Sequence, residues 1–220
     1  YGLWRASGHN PVRQLREVGF ERLQSAAGDP AFLELYDSVM LQFDAYMSGQ
    51  GTWFSQTYPG GLGGPIAYFS AEFAIHSSLP IYAGGLGVLA GDICKEASDL
   101  GLPLVAVGFM YPQGYFHQHI SAEGWQQEVY TQLDFYEAPI NPCPWPEACG
   151  PLVPVQLADR MLYLSAWQIH VGRVNLYLLD SDVEENNPDD RTLSARLYTA
   201  DVEQRIQQFI ALGMGGVRLL

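Results

Sequence analysis

IAYFSAEFAIHSSLPIYAGGLGVLAGDICKEASDLGLPLVAVGFM, residues 66–110, decides the fold class. It opens on a short apolar run, IAYFSAEF, and closes on another, LPLVAVGFM from Leu102, both of the kind that forms buried parallel strands. Between them Val88, Leu89, Ile93, Ala97 and Leu100 recur on one side of a helix. Gly101 stands where a left-handed cap ends such a helix, and Pro103 prevents its continuation. Strand, glycine-rich loop, helix and strand make a βαβ unit, hence an α/β fold with a right-handed crossover.

Outward from this unit the chain changes character on both sides. Upstream, PGGLGGP at 59–65 is dense enough in turn formers to be a linker. The first fifty residues read as helices. Asn10 before Pro11 and Asp29 before Pro30 are two N-cap signals, Gly19 breaks the first run, and Gly49 ends the second. Phe32, Tyr36, Val39, Met40, Phe43, Tyr46 and Met47 recur at helical spacing, a stripe expected to lie in the core. Downstream, LVPVQLA, MLYLSAWQIHV and RVNLYLLD are strand-like runs parted by Asp159-Arg160 and Gly172, which predicts a β-meander joined to the sheet. DSDVEENNPDD reads as a solvated acidic loop. Leu193 and Leu197, then Val202, Ile206, Phe209, Ile210 and Val217, are expected to mark two closing helices, the last still laying down apolar residues at Leu219 and Leu220 as a cut helix would.

The composition narrows the function classes. A formal charge of -13 repels nucleic acid and anionic membrane, so neither is an expected partner. With no basic n-region, apolar h-region or long apolar run there is no signal for export or a membrane span, and a cytoplasmic protein is expected. Cys94, Cys143 and Cys149 have no C-x-x-C spacing, which predicts reduced thiols; Cys143 and Cys149 flank a Pro-stiffened PWPEA segment and remain the one pair open to oxidation.

Candidate chemistry gathers at YAGGLGVLAGD, Tyr82–Asp92. Glycines let backbone approach a ligand without a Cβ in the way, and a helix N-terminus offers unpartnered N–H groups to a phosphate or a sugar. A tight turn with close helix-to-sheet packing explains the same residues, and both readings stand. Gly85, Gly87 and Ala90 satisfy G-x-G-x-x-A, but AVGFMYPQG after the next strand lacks the acidic residue a dinucleotide site needs, and no Gly-Lys-Ser or Gly-Lys-Thr makes a P-loop. Glu72 ends the first strand, where open α/β sheets place ligand contacts; His76 follows it. His117 and His119 share a strand face without a third ligand nearby, so no metal site is expected. Counting from Asp180, the acidic loop has Glu185 and Arg191 where a calcium loop needs Gly and Glu.

These stretches also resemble a known family. YFSAEFAIHSSLPIYAGGLGVLAGD, ASDLGLPLVAVG, QGYFHQ, GWQQE, GRVNLYLLDSD, ENNPDDRTLSARLY and RIQQFIALGMGGVRLL are similar to the bacterial branch of the glycogen and maltodextrin phosphorylases, over residues 65–220, and residues 1–58 more loosely resemble its helical amino-terminal extension. The resemblance implies a glycosyltransferase-B architecture of two Rossmann-like lobes. Residues 1–58 are then the extension and 65–220 an incomplete amino-terminal lobe.

The activity implied is phosphorolysis of α-1,4-glucan by inorganic phosphate, releasing glucose 1-phosphate with retention. Pyridoxal phosphate supplies an acid phosphate to that reaction from a lysine of the second lobe. Gly84, Gly85, Leu86 and Gly87 are implied as the loop over phosphate and sugar, with Glu72 lining the same cleft; no catalytic residue is assigned within this sequence. At Ala83 relatives often carry Ser or Asn, a side chain absent here. The single lysine, Lys95, matches no anchoring motif, so these residues alone are expected to be inactive and to need the rest of the phosphorylase chain, with a homo-oligomer also open. Two alternatives remain. One is a non-catalytic glycan-binding or scaffolding protein that keeps only this lobe; the other is a starch or glycogen synthase, whose loop has Lys where this chain has Tyr82.

Overall fold

The computed structural model describes residues 2–143 and 152–220. Five helices come first, α1 (Gly2–Ala6), α2 (Pro11–Glu17), α3 (Phe20–Ala27), α4 (Pro30–Met47) and α5 (Trp53–Thr57). Then follow β1 (Ile66–Phe69), α6 (Gly85–Leu100), β2 (Leu104–Phe109), β3 (His117–Ile120), β4 (Gln126–Val129), β5 (Asn141–Pro142), β6 (Val153–Leu157), β7 (Arg160–Val171) and β8 (Val174–Asp180). The chain closes through α7 (Pro188–Arg191), α8 (Val202–Ile210), a π-helical turn over Ala211–Gly215, and α9 (Gly216–Leu219). The class is mixed α/β.

The sheet runs β1-β2-β8-β7-β5, with β6 also paired to β7, and β3 pairs β4 in a separate ribbon. β1, β2 and β8 are parallel; β7 turns antiparallel onto β8 through Gly172, so the expected meander enters the parallel sheet at β8. Burial differs from strand to strand: β1, expected to be buried, lies at the end of the strand order, with Ile66 and Ala67 exposed and Tyr68 and Phe69 half-buried. β2, covered on both faces, is buried at every position from Val105 to Phe109, whereas β6 alternates, with Val153, Val155 and Leu157 inward.

Local signals placed the helix ends. The Asn10 side chain accepts from the N–H groups of Val12 and Arg13 at 3.0 and 3.1 Å, Asp29 caps α4 in the same way, and Gly101 closes α6 at φ 74°. The C-terminal turn of α4 is tied to the α/β body at Tyr46. Its hydroxyl donates to Asp99 at 2.7 Å and meets Ser98 Oγ at 2.6 Å, while the Arg173 guanidinium lies 4.1 Å from its ring centroid and donates to the carbonyls of Tyr46 and Ser98.

Three further expectations need correction. The stripe on α4 is not core: no residue of α4 is buried, and Phe32, Tyr36, Val39 and Phe43 are each about half exposed. Glu34, Asp37, Ser38 and Asp44 lie away from the stripe, but so do Leu35 and Leu41, which are exposed as well, and the described residues do not cover the stripe. The acidic loop is not simply solvated. Asp180, Asn186 and Asp190 are buried, Asp190 gripped by Arg160 through bonds of 2.7–3.1 Å and Asp180 by Trp167 and Ser194 at 3.0 Å each. Leu193 and Leu197 are buried in turns after the one-turn α7, so only the second closing helix forms as expected. Cys94 and Cys143 are free thiols, and Cys149, the partner considered for Cys143, lies within 144–151, outside the described residues.

Gly91 is the position where α6 most needs a glycine. A Cβ there would overlap the Ala74 carbonyl oxygen and lie 2.8 Å from its carbon. Gly91→Ala is expected to destabilise the chain by about 1–2 kcal/mol in urea titration, because overpacking against backbone outweighs the roughly 1 kcal/mol that Ala gains over Gly in a helix.

The α4 face gives a separate expectation. The chain should bind an environment-sensitive apolar dye, and Val39→Glu with Phe43→Glu should reduce that signal without moving the thermal transition, since neither side chain is buried.

Candidate functional site

The glycine loop leaves β1, passes Glu72 and His76, and returns over the start of α6. Glu72 is 3% exposed, and its carboxylate is engaged by the chain's own donors. Oε2 accepts from the N–H of Ala83 and, at 3.2 Å, from that of Gly84. Oε1 accepts from the Tyr198 hydroxyl at 2.8 Å. The main chain of Glu72 is held as well, its carbonyl accepting from Ser70 Oγ at 2.9 Å. The carboxylate therefore lies beneath the loop as a brace.

The four glycines divide in two. At Gly87 a Cβ would stand 2.6 Å from Tyr82 Cβ and 3.1 Å from Glu72 Oε2, so the close approach of loop and helix requires glycine, as at Gly91. At Gly84 and Gly85 a Cβ would meet nothing within 4 Å. Neither lies in the left-handed region: Gly84 is extended at φ -160° and Gly85 begins α6. The backbone at Gly85 is therefore one that a residue with a side chain can also adopt. Gly84 caps α6 without a side chain, so the first-turn N–H groups, Gly85 and Leu86 among them, have no capping oxygen from that residue. Both residues, like Leu86, are exposed. The arrangement can donate hydrogen bonds to an oxygen-rich ligand that approaches closely.

The other candidates lie apart from this brace. His76 Nδ1 accepts from Ser78 N at 3.2 Å and meets Ser78 Oγ at 2.8 Å, a local turn contact. His117 and His119 are exposed on β3, and among the described residues no three potential metal ligands cluster. Lys95 is exposed on α6, 3.8 Å from Asp92.

Tyr198 is the residue that sequence reasoning missed. It follows the closing turns, 126 positions from Glu72, at φ 59°, a left-handed conformation that costs a non-glycine residue about 1–2 kcal/mol. Burial, then the hydrogen bond to Glu72 and that residue's charge, push its phenol up to about 12 against the slight opposing pull of Arg205. Tyr111, buried nearby, is raised by burial above all. No local signal marks Tyr198; only the pairing across the fold reveals it.

Comparisons with known proteins fit the resemblance read from the sequence. Residues 1–79 match a family described as "Protein of unknown function (DUF3417)". Over 211 residues, 96% of this chain and 25% of the relative, the chain is 47% identical to the maltodextrin phosphorylase of Thermococcus litoralis. It is 43% identical over 224 residues to the glycogen phosphorylase of Mycobacterium tuberculosis, covering 99% of this chain and 26% of the relative, and 40% identical over 218 residues to that of Aquifex aeolicus, 99% and 30%. The chain thus spans between a quarter and a third of the length of these curated relatives.

The raised phenol of Tyr198 gives a pH signature. A hydroxyl held neutral by the fold contributes its full stability below the ordinary value near 10 and loses it as pH rises through about 12. Subtracting the tyrosinate titration of Tyr198→Phe from that of the parent chain should leave one phenol ionising near pH 12; a difference curve centred near 10 would contradict the placement.

Proposed function

We propose that this chain, which belongs to the bacterial-type glycogen and maltodextrin phosphorylase family, serves as the amino-terminal part of an α-1,4-glucan phosphorylase. In that reading residues 65–220 form part of the first lobe of a glycosyltransferase-B architecture, with 1–58 a helical extension. The substrates are α-1,4-glucan and inorganic phosphate, the product is glucose 1-phosphate, and the remaining phosphorylase polypeptide is the obligate partner. A homo-oligomer is compatible with the exposed apolar face of α4. A cytoplasmic location suits an acidic chain in which, among the described residues, no helix is long and apolar enough to cross a membrane.

The observation that carries the reading is the pair Gly84 and Gly85, where the fold has no need of glycine and the backbone is open to solvent at the start of α6. Side-chain-free backbone at a helix N-terminus suits close contact with sugar hydroxyls or phosphoryl oxygens. Glu72 then acts on the loop from below: with both carboxylate oxygens engaged by Ala83, Gly84 and Tyr198, its role is to fix where the loop N–H groups point. Pyridoxal phosphate, implied by the family, has no fitting anchor here, because the one lysine is exposed beside Asp92.

The test is phosphorolysis of a maltodextrin followed by release of glucose 1-phosphate. Residues 1–220 alone should release none, and glucose 1-phosphate from them would overturn the assignment of a part-site. In the active polypeptide that carries this sequence, Gly85→Ala should cut turnover by about tenfold or more with an unchanged thermal transition, since a misplaced contact near the reacting atoms is costly while the fold has room for the Cβ. Unchanged turnover would leave the loop a turn and nothing more.

A further inference from the structure

The brace beneath the glycine loop is itself held by a residue that belongs to neither the loop nor β1. Tyr198 sits in the left-handed region without being glycine, asparagine or aspartate, so its conformation is imposed by its surroundings. Two sets of bonds impose it. Leu197 N–H donates to the Gly114 carbonyl at 3.2 Å, and Gln113 N–H to that of Ala195 at 3.1 Å, tying the turn to the segment after β2. Buried Gln208 of α8 donates through Nε2 to the carbonyls of Leu193 at 2.8 Å and Arg196 at 3.2 Å. The turn thus presents the Tyr198 hydroxyl to Glu72 Oε1 at 2.8 Å, while Oε2 faces Ala83 and Gly84.

A carboxylate has a soft terminal torsion, broad and roughly two-fold. Fixing one oxygen from below is what directs the other at the loop amides. We infer that Tyr198 is a positioning residue for the glycine loop, acting through Glu72: its hydroxyl locks the plane of the carboxylate that holds Ala83 and Gly84, and so aims the first N–H groups of α6. The inference rests on the loop's being a ligand contact, as proposed above. Tyr198, 42% exposed, also lines a cavity of about 10 Å³ with Phe109, Tyr111, Phe209 and Leu212, and filling that space is the role a merely structural tyrosine would have.

Tyr198→Phe separates the two, because it keeps the ring and removes only the hydroxyl. In the phosphorolytic polypeptide that carries this chain, Tyr198→Phe should lower kcat by about tenfold, leave KM for maltodextrin within about twofold, and leave the thermal midpoint unchanged. Hydrogen exchange at the Ala83 and Gly84 amides should quicken by about tenfold as they lose a fixed acceptor. Glu72→Gln should reproduce the kinetic loss, and the double variant should be no worse than Glu72→Gln alone, since one residue acts through the other. Parent-like kinetics and exchange in Tyr198→Phe, or losses that multiply in the double variant, would overturn the inference. A parent polypeptide that releases no glucose 1-phosphate would instead sink the phosphorylase reading, and the exchange rates of the two amides would still decide whether Tyr198 positions the loop.

Discussion

A buried carboxylate has to be satisfied, and Glu72 is the place where that requirement organises the molecule. Leaving an ionised group unpaired at 3% exposure would cost several kcal/mol, so donors must converge on it from wherever the chain can bring them. They come from two distant regions: two amides at the end of the glycine loop and a phenol that follows the closing turns. The parallel strands supply the platform, since β1 ends just before Ser70 and Glu72, and β2 carries Gly108 against Phe73 without a side chain between them. Loop, strand end and closing turns consequently meet at one charge.

Within the glycine motif, packing and exposure are assigned to different residues. Gly87 and Gly91 let α6 sit against Tyr82, Glu72 and Ala74, and their replacement disturbs the fold. Gly84 and Gly85 face open space, where a Cβ would meet nothing within 4 Å, so packing gives no reason for glycine there. A sequence pattern weighs all four alike. The three-dimensional structure assigns the packing role to Gly87 and Gly91 and leaves Gly84 and Gly85 without one.

What was legible in the sequence was local. Asn10, Asp29 and Gly101 mark helix ends through bonds to residues within a few positions, and β2, β6, β7 and β8 were readable from runs of alternating or continuous apolar residues. What was not legible depends on distant partners. Periodicity gave α4 an apolar side but carries no information on what covers it, so the stripe read as core and is exposed. The acidic loop looked solvated because its partners, Arg160, Tyr163, Trp167 and Ser194, lie on β7 and beyond α7. Glu72 was singled out by its place at a strand end, yet the bonds that define what it does join it to Tyr198, 126 residues away and marked by no motif.

The charge at the loop also limits what it can do. A helix N-terminus is equivalent to roughly half a positive charge, and beside it Glu72 places a buried carboxylate that already takes two loop amides. The remaining donors are neutral N–H groups. Such a site confers direction on a ligand oxygen and contributes little net attraction for an anion, in keeping with a chain whose formal charge is -13. Lys95, on the exposed side of the same helix beside Asp92, does not alter that balance at the loop. On the function proposed above, these residues would supply geometry to a bound sugar or phosphate rather than compensating charge.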